Sequence, residues 1–280
     1  MDLKLTEEQE MVRKMARDFA QKEVAPIAAE MDEKGEVPFE NIKKMGQLGL
    51  LGLTAPEEYG GGGADTVSYV VALEEIAKAC ASTAVVMAVQ NSLVNYALAR
   101  FGTEEQKRKY LTPLARGEKI GAYALTEPEA GSDAAAIRTR AVRDGDEYVI
   151  NGTKHFITNG GFADIVILYA TVDPSKGYRG ITAFIVEKGT PGFSTGKEEN
   201  KMGIRATNTC ELIFQDCRVP VANRLGDEGQ GFKIALSALD AGRIGIGAQA
   251  VGIAQAAYEA ALEYAKTRVQ FGQPIAQLQA

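Results

Sequence analysis

Tyr123-Ala-Leu-Thr-Glu-Pro-Glu-Ala-Gly-Ser-Asp133 and a second run, Asn151-Gly-Thr-Lys-His-Phe-Ile-Thr-Asn-Gly160, decide how this chain is read. Each looks like a strand running into a turn rich in small and polar residues. Such turns leave backbone N–H groups and hydroxyls free to meet a ligand. An ordinary pair of polar strand ends is the competing reading. Two such runs, in this order and spacing, argue against it.

Around these runs the hydrophobic period is that of strands. Val142 to Ile150 flanks Asp144-Gly145, a hairpin signal. Ile165-Val-Ile-Leu-Tyr169, Ile181-Thr-Ala-Phe-Ile-Val186 and Glu211-Leu-Ile-Phe214 read as further strands. No helical pattern separates them, so a largely antiparallel sheet folded into a barrel or sandwich is expected. On either side the period becomes helical. Thr6-Glu-Glu-Gln9 and Thr103-Glu-Glu-Gln106 are capping-box patterns, and Asp65 reads as another helix cap. Met11, Val12, Met15 and Phe19 recur at helical steps, and an apolar, alanine-rich helix runs to Phe101. The glycines at 60–63 lack a following Gly-Lys-Ser/Thr and read as a loop rather than a phosphate cradle. From Gly229 a long alanine-rich helix ends near Arg268, too long to be stable unsupported. Gly245-Ile-Gly-Ala-Gln-Ala250 fits a dinucleotide fingerprint but lies inside that helix without a preceding strand, so a Rossmann domain is rejected.

The 280 residues suffice for a large core, and 45% hydrophobic with 24% charged residues is ordinary for a globular protein. A net charge of -6 argues against a nucleic-acid binder. No run of 18 apolar residues offers a membrane span, and the N-terminus shows no targeting pattern, so a cytoplasmic protein is expected. Cys80, Cys210 and Cys217 form no C-x-x-C pair and read as free, mostly buried thiols. The single histidine, His155, excludes a histidine metal cluster and reads as a strand residue of incidental role.

The two opening runs, in a helix, β-domain, helix order, resemble the acyl-CoA dehydrogenase family along the whole chain. The resemblance implies an α+β multidomain fold: an N-terminal helical domain over 1–118, a middle antiparallel β-domain over 119–226, and the start of a C-terminal helical bundle over 227–280. It implies FAD as cofactor, with Tyr123, Ala124, Leu125, Thr126, Gly131 and Ser132 along one side of the flavin and Phe156, Ile157 and Thr158 along the other. Fixed N–H dipoles and the Thr126 hydroxyl at the pyrimidine end would stabilise the charge that reduction places there. Ser132 and the Asp-x-x-Arg segment, Leu239, Asp240 and Arg243, match the substrate's CoA contacts. An i, i+3 pair shares one helix face, though by itself it reads equally as a surface ion pair. Arg205 to Thr209 fits a segment near the active-site mouth. Arg268, Phe271 and Gln279 match residues that reach the FAD of a neighbouring subunit, implying a dimer or tetramer.

The implied activity is oxidation of a short- or medium-chain acyl-CoA to its trans-2-enoyl-CoA, with electrons passed to an electron-transferring flavoprotein. That chemistry needs a carboxylate base. One family position for it falls on Gly242, which has no side chain; the other falls beyond Ala280. Glu127 and Glu129 match neither position. The expectation is therefore a short- or butyryl-type enzyme, a chain that stops short of its base, and a fragment inactive alone. The alternatives are an acyl-CoA oxidase or enoyl-CoA reductase of the same fold, or a non-catalytic fragment that binds FAD or a partner.

Overall fold

The computed structural model describes residues 4–279. The Thr6 hydroxyl accepts from the Gln9 N–H while the Gln9 side chain accepts from the Thr6 N–H, the capping box the sequence predicts. Helix α1 (Glu7–Phe19) continues through a π-helical turn into α2 (Ala25–Lys34), and α3 is Phe39–Gln47. The segment 60–63 is loop, after which Asp65 caps α4 (Thr66–Ala79) by accepting from the Ser68 N–H at 2.7 Å. The alanine-rich stretch comprises α5 (Ala81–Ala88), a π-helical segment Val89–Asn95 and α6 (Tyr96–Phe101). The second capping box opens α7 (Glu104–Gln106), which continues into α8 (Thr112–Ala115).

The middle strands are β1 (Gly121–Ala124), β2 (Arg140–Asp144), β3 (Glu147–Thr158), β4 (Ile165–Thr171), β5 (Ile181–Glu187), β6 (Phe193–Glu198), β7 (Thr209–Pro220) and β8 (Arg224–Leu225). They form one sheet in the order β6-β7-β3-β2-β4-β5-β8, with β1 beside β4. Asp144 pairs with Glu147 around the expected turn, where Gly145 takes φ 63°. Most ladders are antiparallel. The departures are the single β2–β4 pairing, Arg140 opposite Thr171, and β1, which runs parallel to β4 from Gly121 opposite Ile165 to Ala124 opposite Leu168. The β2–β3 hairpin supplies the long connection that a parallel pair needs, so no crossover helix marks it in the sequence.

The sheet folds onto itself. Tyr148 of β3 meets Phe184 of β5, which is not its neighbour, with ring centroids 4.9 Å apart. Ile150, Leu168, Val186 and Leu212 fill the same interior. The other face of β4 and β5, including Ile167 and Ile185, packs on Leu98 and Ile234 from the helices. Burial on both faces is why β4 and β5 read as unbroken apolar runs.

Helix α9 (Gly231–Thr267) spans 37 residues and contains the false dinucleotide motif. A Cβ at Gly245 would stand 2.4 Å from the Tyr69 Oη, and one at Gly252 would stand 2.5 Å from the Glu74 carbonyl oxygen. These glycines let α9 lie close on α4. Gln249 Nε2 also donates to the Ala81 carbonyl at 2.9 Å. The outer side of α9 exposes Ile246, Val251, Ile253 and Tyr258. Strands β9 (Val269–Gln270) and β10 (Gln273–Pro274) follow as a short hairpin. Cys210 and Cys217 are buried free thiols, and burial pushes both up to about 11, which keeps them protonated.

Candidate functional site

Side chains alternate along a strand, so Tyr123 and Leu125 face the helices while Ala124 points into the sheet interior. Fully buried there, Ala124 is not part of the cleft lining. The Tyr123 hydroxyl donates to the Ala235 carbonyl at 3.1 Å, and burial pushes its pKa up.

Strand β3 carries a bulge. Lys154 pairs with Leu212 and Ile157 with Cys210, so His155 and Phe156 together oppose Glu211. Strict alternation would continue the inward series Tyr148, Ile150, Lys154 with Phe156. The bulge instead buries Ile157 and leaves Phe156 60% exposed at φ 57°, an uncommon conformation for a bulky residue.

A cleft of about 490 Å³ results. The first run contributes Tyr123, Leu125, Thr126, Gly131 and Ser132 to its lining; the second contributes Phe156, Ile157 and Thr158; α9 contributes Leu239 and Arg243. Val89, Leu93, Ala134 and Leu236 complete it. Sequence reasoning missed Val89, Leu93 and Leu236 because an apolar residue at helical spacing looks the same whether it meets core or cleft, and Ala134 because it is one of three alanines in a short turn. Gly242 packs nearby: a Cβ there would stand 3.0 Å from Leu93 Cδ2.

Several singled-out residues lie elsewhere. Asp240 is exposed and lies outside the lining, where it forms an ion pair with Arg243, which is part of the lining. Arg268, Phe271 and Gln279 are exposed beyond α9 and do not line the cleft. Arg205 is occupied as a clamp: its N–H and Nε donate to Asp32 Oδ1 and the Asp32 carbonyl, each at 3.0 Å. Glu129 pairs with Arg138 at 2.5 Å.

Glu127 sits behind the first run with Lys154, a pair the sequence reading did not identify. Lys154 Nζ donates to the Leu125 carbonyl at 2.9 Å and to Glu127 Oε1 at 2.8 Å. The carboxylate also accepts from the Arg138 and Thr139 N–H groups at 2.6 and 2.9 Å. Burial pulls the lysine down to about 8 against the opposing pull of Glu127. Burial pushes Glu127 up, but Lys154 and the donors outweigh it and hold the carboxyl below its usual range.

The cleft suits a flat, partly polar ring system. Its walls are aromatic and aliphatic, while among the described residues the hydroxyls of Thr126, Ser132 and Thr158 have no partner within the chain. No carboxylate lines it.

Comparison with known proteins gives this geometry a family. The patterns for "Acyl-CoA dehydrogenase, N-terminal domain", "middle domain" and "C-terminal domain" match residues 6–118, 122–217 and 229–280. The short-chain specific acyl-CoA dehydrogenase of Clostridium acetobutylicum is 56% identical over 279 residues, covering 100% of this chain and 74% of the relative. Butyryl-CoA dehydrogenase from Megasphaera elsdenii superposes with TM-score 0.97 at 51% identity, over 99% of this chain and 74% of that one. A chain from a structure of the electron transferring flavoprotein of Acidaminococcus fermentans gives TM-score 0.98 at 51% identity, over 99% and 73%. A glutaryl-CoA dehydrogenase of Mycobacterium smegmatis in complex with FADH2 gives 0.92 at 35%, over 98% and 69%. Matched in this way from the first helix to the last hairpin, the chain belongs to the acyl-CoA dehydrogenase family, oxidoreductases acting on CH–CH groups.

Proposed function

We propose that this chain forms the FAD- and acyl-CoA-binding body of a dehydrogenase that converts a short-chain acyl-CoA, of butyryl-CoA type, to its trans-2-enoyl-CoA. Electron-transferring flavoprotein is the proposed acceptor. The observation that carries this reading is the convergence of both polar runs and α9 on one cleft with three unpartnered hydroxyls. FAD held by these residues would supply the oxidant for loss of a hydride from the β-carbon.

The chain's own residues bind, orient and exclude water. Thr126 and Thr158 would hydrogen-bond the flavin's polar edge, and Phe156 and Tyr123 would wall its ring. Ser132 and the exposed Arg243 guanidinium lie where the polar CoA portion would enter. Val89, Leu93 and Leu239 provide an apolar surface for the acyl chain. Arg268, Phe271 and Gln279 are proposed to contact the FAD of a second copy in a dimer or tetramer. The lining holds no group able to accept the α-proton, so these residues bind and orient without completing the reaction.

Flavin fluorescence titration tests the reading. FAD should be quenched on binding, FMN should bind more weakly, and butyryl-CoA should perturb the bound flavin's absorbance. Equal binding of FMN and FAD, or no response to butyryl-CoA, would sink it.

A further inference from the structure

We propose that His155 is a positioning residue that holds Phe156 in the cleft through its contact with Glu211. The inference rests on the reading of that cleft as a flavin site, and it gives a role to a histidine that lines no part of it.

Phe156 has little packing of its own, being 60% exposed, yet it takes φ 57°. A bulky side chain keeps such a conformation only where its surroundings impose it. Here the bulge imposes it, and the bulge is pinned at the one residue opposite it. His155 Nε2 donates to Glu211 Oε1 at 2.5 Å, with both side chains about four-fifths shielded, at 21% and 23% exposure. Glu211 Oε2 accepts from the Lys197 N–H at 3.3 Å, so the carboxylate is fixed from β6 as well. The His155 backbone N–H donates to the Thr126 carbonyl at 2.9 Å, which ties the same bulge to the first polar run. The imidazole then meets the Phe156 ring edge-to-face, with centroids 5.0 Å apart and planes at 84°. Glu211, His155 and Phe156 thus form a short relay from the back of β7 to the cleft wall. His155 acts through Phe156 and touches no reacting atom.

The chain contains no tryptophan, so Phe156→Trp places a single fluorescent reporter on the wall itself. In that background, His155→Ala and Glu211→Ala should each raise acrylamide quenching roughly two-fold or more and lower the emission anisotropy, with far-UV circular dichroism unchanged. His155→Gln, which can still donate to Glu211, should stay near the parent. With Phe156 restored, His155→Ala should weaken FAD binding by about five-fold. Unchanged quenching and anisotropy in both alanine variants would overturn the proposal, as would a His155→Gln variant as mobile as His155→Ala. The reporter needs no flavin. If it responds while the parent chain fails to bind FAD, the positioning role stands and the flavin reading falls.

Discussion

The Lys154 ammonium lies 2.8 Å from the Glu127 carboxylate, with side-chain exposures of 0% and 7%. The pair staples the Leu125–Glu127 segment to β3, directly behind the cleft. Removing one member leaves an unpaired buried charge, which typically costs about 3–5 kcal/mol. Lys154→Met should therefore lower the urea midpoint sharply. Lys154→Met with Glu127→Gln should recover at least half of that loss, because no charge is stranded and the glutamine carbonyl still accepts from one of the Arg138 and Thr139 N–H groups. A single variant as stable as the parent would mean that water reaches the site.

Acid should weaken the fold through the same carboxylate. Glu127 is held below its ordinary 4.5, so it is ionised in the native state at pH values where the unfolded chain takes up a proton. Its contribution is fully present above 4.5 and is lost as the pH falls through the lower, native value. Thermal midpoints from pH 7 to pH 3 should fall less steeply for Glu127→Gln than for the parent. Parallel curves would assign the acid sensitivity to other carboxylates.

Gly245 and Tyr69 should be coupled. A Cβ at Gly245 meets the Tyr69 Oη at 2.4 Å, and that hydroxyl is buried without a hydrogen-bond partner. Gly245→Ala should destabilise by about 1–3 kcal/mol through overpacking. Tyr69→Phe should be near neutral alone and should relieve most of the alanine's cost. Additive effects in the double variant would show that α9 shifts away instead.

Arg243→Ala should separate binding from stability. The Asp240–Arg243 pair is 72% and 69% exposed, and such surface pairs contribute only about 0–1 kcal/mol to folding. Loss of a charged hydrogen bond to CoA should weaken butyryl-CoA binding by about ten-fold or more. Unchanged affinity would leave the pair as surface decoration.

The 280-residue chain with added FAD should not reduce a dye acceptor in the presence of butyryl-CoA. The cleft lining includes no carboxylate, Gly242 has no side chain, and Glu127 is locked to Lys154. Robust turnover would show that a base is available among these residues.

Much of the fold is legible because its signals are local. Thr6, Asp65 and Thr103 cap the helices they precede, and Gly145 turns the hairpin, each through residues adjacent in sequence. The two polar runs mark most of the cleft for the same reason. What stayed hidden depends on distant partners. The parallel approach of β1 to β4 is decided by packing, not by the four residues of β1. The bulge at His155 and Phe156 appears only when β7 supplies Glu211 opposite both. Lys154 left a faint trace, since period-two counting from Tyr148 and Ile150 places it inward. A lysine on a buried face needs a buried acid, and the first polar run supplies it in Glu127, 27 residues away and behind nearer acids such as Glu147.

The hydrogen bond from Gln249 to Ala81 joins residues 168 positions apart. On the ribosome, at ~5–20 residues per second, α4 and α5 would wait roughly 8–34 s for α9 to emerge. During that interval the β-domain, whose strands lie wholly between them, can close first. The face awaiting α9, centred on Tyr69, Leu73 and Ala77, stays open as nascent apolar surface. Codon choice and chaperone supply across that stretch should therefore govern yield more strongly than the same changes made within α9 itself.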